Sequence, residues 1–200
     1  KGGEVIPTLL KYPEDRVIIV DPEDEYSDIG RAFGAQMVDI SIGSKTHINL
    51  LDLPDLDRLD DEDDDPIGDK ANLLMGLFES ILSEVTDAQI GIIDRVTGVT
   101  YERYLTENFT PTLKEWHQVL KEQPEPEAQD LALAVETYTT GSQDIFAHNT
   151  NVDLNHRFVI FNLKKLSHKL KPFALMVIQD YIWNQIVENQ GKCTTWVYFD

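Results

Sequence analysis

Two short apolar runs in this chain show no alternation between polar and apolar side chains. Val17-Ile18-Ile19-Val20 ends at Asp21, and Trp196-Val197-Tyr198-Phe199 ends at Asp200. A strand wet on one face would alternate with a period of two, so runs that are apolar throughout read as strands buried in a parallel sheet. That constraint leads to an α/β architecture. It also gives the two aspartates a meaning, because ligands of open α/β sheets bind at the carboxyl ends of the strands.

The segments around both runs keep the strand–helix–strand rhythm. After the strand over residues 16–21, Ser27 is placed to cap a short helix, Asp28 to Phe33, which Gly34 stops in the C′ position. Gln36 to Ser41 then reads as a second strand. Near the other end, residues 157–163 form a buried strand and Pro172 opens a helix running to about Asn189. Its packed side is Phe173, Met176, Val177, Ile182 and Ile186. Gln190-Gly191 ends it before the strand at 194–200.

Between these α/β parts the pattern changes. Residues 55–69 hold nine acidic side chains and one Arg, including Asp60-Asp61-Glu62-Asp63-Asp64-Asp65. Like charges at this density repel, so a solvated loop is expected. The EF-hand ligand spacing, with its Gly at the sixth position, is absent. Apolar residues then recur at helical steps: Leu73, Leu74, Leu77, Phe78, Ile81, Leu82 and Val85 in a first helix. A second is opened by a Thr86–Gln89 capping box, with Ile90, Ile93, Val96, Tyr101, Tyr104 and Leu105 on its buried face. A third starts at Thr112 with Glu115 and carries Leu113, Trp116, Val119 and Leu120. Pro126 starts a fourth, with Leu131, Leu133, Val135 and Tyr138 buried and Gly141 at its end. Four such helices fit a small bundle.

The formal net charge is −19, and the acidic stretch supplies −8 of it, so acidity is general. Nonspecific DNA affinity comes from Lys and Arg neutralising phosphates, and no direct DNA binding is expected here. No apolar stretch approaches 20 residues and nothing at the start reads as a signal peptide. The single Cys193 has no internal partner, which favours a reducing, cytoplasmic setting. Lys45 and His47 in Gly43-Ser44-Lys45-Thr46-His47 lack P-loop spacing and read as a surface turn. His148 and His156 flank Asn149, Asn151, Asp153 and Asn155, without zinc-ligand spacing, and read as a structured turn.

The run Val17-Ile18-Ile19-Val20-Asp21-Pro22-Glu23-Asp24-Glu25-Tyr26 resembles a segment of the conjugal-transfer ATPases that energise type IV secretion, VirB-type RecA-like motors of the HerA/FtsK superfamily. The resemblance continues through Gly43-Ser44-Lys45-Thr46-His47-Ile48-Asn49, Leu51-Asp52, Thr110-Pro111-Thr112-Leu113 and Phe146-Ala147-His148-Asn149-Thr150-Asn151-Val152 to the final strand. It implies a RecA-like P-loop NTPase core with a parallel sheet, interrupted by an all-α helical insertion. Residues 1–53 and 153–200 would belong to the core, and 54–152 would be the acidic loop and insertion. No G-x-x-x-x-G-K-[ST] occurs in the sequence, and the resemblance places that phosphate-binding loop upstream of residue 1. Gly2, Gly3 and Pro7 disfavour the helix that should follow such a loop. Either it begins late, near Thr8, or the opening residues are foreign to it.

The resemblance also implies roles. Asp200 would be the Walker B carboxylate that holds magnesium through water, with the family glutamate just beyond it. Asp21, Glu23 and Glu25 would lie beside the nucleotide, Glu23 with a catalytic role. Read from the residues alone, Pro22 to Tyr26 is equally an acidic helix entry. The implied cofactors are Mg2+ and ATP, bound by the parent protein rather than tightly by this stretch. The implied partners are other subunits of a homo-oligomeric ring and secretion-system proteins at the cytoplasmic face of the inner membrane. A non-enzymatic protein-interaction module and a DNA translocase or helicase of the same superfamily are the alternatives.

Overall fold

The computed structural model describes residues 3–59, 64–152 and 156–200. Asp60, Asp61, Glu62 and Asp63 of the acidic run, and Asp153 and Asn155 of the second turn, lie outside the described residues. Four strands form one sheet: β1 (Arg16–Asp21), β2 (Gln36–Asp39), β3 (Phe158–Asn162) and β4 (Thr195–Phe199). Their order is β2-β3-β1-β4 and every pairing is parallel, with Ile19 opposite Ile160 on one side and Tyr198 on the other. The absence of alternation in β1 is thus explained. Ile18 and Val20, with Val159 and Phe161 of β3, face α7 (Leu170–Glu188), whereas Val17, Ile19, Phe158 and Ile160 face α1 (Val5–Lys11) and α2 (Ser27–Ala32). Full burial of each such aliphatic side chain is worth about 1.5–3 kcal/mol.

Several helix boundaries differ from the expectation. α1 begins at Val5, not near Thr8, because Pro7 falls in the first turn, where its missing N–H is not needed. The other end of α1 is closed by Arg157, whose guanidinium donates to the carbonyls of Leu9, Tyr12 and Asp15 at 2.6, 2.8 and 2.9 Å. Ser27 does not cap α2. Its hydroxyl donates to the Asp24 carboxylate, and Tyr26 takes the cap position. Gly34 does end α2, at φ 68°. Gly30 is required by proximity, since a Cβ there would stand 2.7 Å from Ile160 Cδ1 in the sheet. In α7, Met176 and Ile186 are half-buried. They line an apolar groove of about 450 Å³ beside the edge strand β4, together with Trp183, Val197 and Phe199.

The four middle helices lie between β2 and β3: α3 (Pro66–Ile81), α4 (Asp87–Tyr104), α5 (Leu113–Lys121) and α6 (Pro126–Thr139). Both expected capping boxes are present, at Thr86–Gln89 and Thr112–Glu115. The acidic stretch is shorter as a loop than expected. Asp65 accepts from the Gly68 amide at 2.9 Å, and α3 starts at Pro66, with Asp69 near its positive end. Leu133 is 72% exposed, contrary to its place in the expected stripe. It lies two positions from Leu131, on the opposite side of α6 from Ala128, Leu131, Ala132, Val135 and Tyr138. The insertion is not cored separately. Trp116, Phe78, Leu131 and Val135 belong to one continuous apolar cluster with Ile18, Val20 and Phe161 of the sheet.

Candidate functional site

The connections out of the two inner strands run over opposite faces. β1 continues through α2, on one face, to β2, and β3 continues through α7, on the other face, to β4. The carboxyl ends of β1 and β3 therefore flank a topological switch point, where open α/β sheets leave a crevice. Asp24 and Ser27 after β1, and Asn162 and Lys165 at the end of β3, line it.

Asp21 ends β1 and is fully buried. Its Oδ1 accepts from the Glu25 amide at 3.0 Å and its Oδ2 from the Tyr26 amide at 2.9 Å. Both oxygens thus fold the loop that follows. That loop reverses through Asp24, the only described non-glycine residue with positive φ, at 64°. Asp tolerates this region because its short side chain bonds locally, and here it does. Asn162 Nδ2 donates to Asp24 Oδ1 at 2.7 Å, the Ser27 hydroxyl donates to the same oxygen, and Lys164 Nζ stands 3.7 Å from Oδ2. The Ser27 hydrogen bond, then the charge of Lys164 and the Asn162 amide, holds the Asp24 carboxyl below the usual range against partial burial.

Glu23 and Glu25 project from this loop into solvent. Glu23 Oε1 accepts from Lys171 Nζ at 2.8 Å. That hydrogen bond and the Lys171 charge keep Glu23 below the usual carboxylate range. Asp200 follows β4, and its amide approaches the Val20 carbonyl at 3.4 Å, so Asp21 and Asp200 occupy equivalent places on neighbouring strands. Asp21 is buried and Asp200 is exposed. The structure thus brings all four acidic candidates to one edge. Asp24 and Asn162, which fasten the two sides of the crevice together, were not singled out by sequence reasoning. The available signal was an Asp two residues after a proline in a turn.

Lys45 is exposed, in the loop that follows β2. His47 packs against His148, with ring centroids 4.3 Å apart. His156 is elsewhere, its Nδ1 3.0 Å from the Phe158 carbonyl oxygen. Among the described residues no three His, Cys, Asp or Glu side chains converge as a metal site. No described helix is long and apolar enough to cross a membrane.

A parallel sheet in this order, with a helical insertion between β2 and β3, is a RecA-like α/β fold. The particular likeness is to VirB4 of Thermoanaerobacter pseudethanolicus, at a TM-score of 0.82 and 22% identity, covering 100% of this chain and 80% of that one. No protein-family model and no curated protein matches the chain.

Proposed function

We propose that this chain is part of an ATPase that powers type IV secretion or conjugative transfer. The observation that carries the reading is the likeness to VirB4 along the whole chain, insertion included. Residues 45–52, 110–113 and 146–152, which resemble the conjugal-transfer ATPases in sequence, also meet one another in the fold. Asn49 Nδ2 donates to the Pro111 carbonyl at 3.0 Å, and the Asn49 amide donates to Thr150 Oγ1 at 2.8 Å.

Within that reading the acidic residues divide by environment. Magnesium keeps several waters and is held through one or two carboxylates plus phosphate oxygens. The exposed Asp200 fits such a role through water. Asp21 does not fit as a direct ligand, since it is fully buried and each of its oxygens is turned onto a loop amide. When bound, magnesium with ATP supplies the phosphoryl group and neutralises its charge. Glu23, kept ionised beside Lys171, is a hydrogen-bond acceptor suited to orienting water. A proton abstractor works best with a pKa near the working pH, and Lys171 moves Glu23 away from that. Asp21 and Asp24 act by shaping the loop that carries Glu23 and Glu25. The partners are further subunits of a ring and secretion proteins on the cytoplasmic side of the membrane, with no DNA bound directly by this acidic surface.

The test is ATP hydrolysis by the intact protein with and without EDTA, paired with substrate transfer by cells lacking the protein. Turnover that stops on chelation, and transfer that is lost, agree with the proposal. An intact protein without turnover, in cells whose transfer is unimpaired, overturns it.

A further inference from the structure

The chain crosses between sheet and insertion twice, and the two crossings are zipped together. His47 donates its amide to Asn151 Oδ1 at 2.7 Å and accepts from the Asn151 amide at 3.1 Å. Asn151 Nδ2 donates to the Lys45 carbonyl at 2.7 Å, and the Leu50 amide to the Phe146 carbonyl at 3.2 Å. These bonds join residues about a hundred positions apart, and α3 to α6 all lie between them. At the centre of the zip the imidazoles of His47 and His148 stack, tilted by 32°.

The charged groups facing this pair come from the second crossing and from α5. His148 Nε2 is 3.0 Å from Asp144 Oδ2, and Lys114 Nζ of α5 stands 3.7 Å from the same oxygen. Asp144 is therefore shared between the His148 imidazole and the Lys114 ammonium. His47 Nδ1 is buried and has no hydrogen-bond partner. A proton added there would be charged, desolvated and stacked on a second imidazole.

We propose that the His47–His148 stack is a pH-responsive clasp that ties the two crossings at the base of the insertion while His47 is neutral and loosens them when it is charged. Burial first, and His148 second, hold His47 below the ordinary imidazole range. The sign follows. A histidine with a depressed folded-state value contributes its stability above the unfolded value near pH 6.5, and loses it as pH falls through the folded value. Ile48, Leu50, Leu51, Phe146 and Ala147 belong to the apolar core shared by sheet and insertion, which does not titrate, so opening is confined to residues 45–47 and 148–151.

The test is hydrogen exchange of the protein between pH 7.5 and 5.5, corrected for intrinsic exchange. Amides of 45–47 and 148–151 should exchange at least about tenfold faster at the lower pH, one decade per 1.4 kcal/mol, with β1 unchanged. His47→Phe keeps a stacked ring and removes the titrating group, and His148→Phe keeps the stack while removing the imidazole that opposes a charge on His47, so either should reduce the pH effect below about threefold. Wild-type protection in these loops that ignores pH overturns the clasp. So does a full pH effect in whichever phenylalanine variants fold.

Discussion

Asp21 and Asp200 end adjacent strands at the same edge, after runs that look alike in sequence, yet their surroundings differ. Asp21 is sealed in the interior with an amide on each oxygen, whereas Asp200 stands at the exposed edge. β1 lies between two strands, so the loop after it must turn back over the sheet, and a buried carboxylate is what fastens that turn. Among the described strands β4 pairs with β1 alone, with Phe199 52% exposed. A strand-end aspartate is therefore a positional signal, and the contacts of its carboxylate, not the apolar run before it, distinguish one that fastens a loop from one that stays exposed.

The sharpest way to break this comparison is Asp21→Ala. Hydrogen bonds to a charged group contribute about 1.5–3 kcal/mol each, so losing two should cost about 3 kcal/mol. In a domain of this size that lowers Tm by roughly 6–12 °C in a melt followed by circular dichroism. Thr86→Ala, which removes the α4 cap far from the edge, should cost about 1 kcal/mol. Asp52 has a third kind of environment. It is half-buried and accepts from the Thr150 hydroxyl, and burial raises its pKa. A raised value means stability that is present below the ordinary carboxylate pKa and lost as pH rises through the folded value. Asp52→Asn should accordingly raise Tm slightly at pH 7.5, with the gain vanishing toward pH 4. Glu23→Gln, at an exposed ion pair, should leave Tm unchanged within error while altering turnover.

The strands were legible because burial on both faces writes continuous apolar runs, and three parallel members emerged within about a residue of their expected ends. The insertion helices were legible for another reason, since they carry their own start signals. Thr86 and Thr112 each accept a backbone amide at a helix start, and Asp65 does so as well, although its place in the acidic run hid the start of α3. The helices flanking the sheet have no such side-chain caps, and their starts were misplaced, at Val5 rather than Thr8 and at Leu170 rather than Pro172. They are positioned by burial against the sheet, which local sequence does not encode. Leu133 was misplaced by counting apolar residues rather than their angle around the helix. The Asp24–Asn162 fastening and the His47–His148 stack join positions 138 and 101 residues apart. Neither is written in any local pattern.

The most direct measurement is Asp200→Asn in the intact protein, followed in parallel by thermal melting and by magnesium-dependent ATP turnover. The account predicts a Tm within about 1 °C of wild type, because the carboxylate is exposed at a strand end, and turnover reduced to background. A variant that still turns over ATP at the wild-type rate, or that melts as early as Asp21→Ala, would contradict the division between the two aspartates.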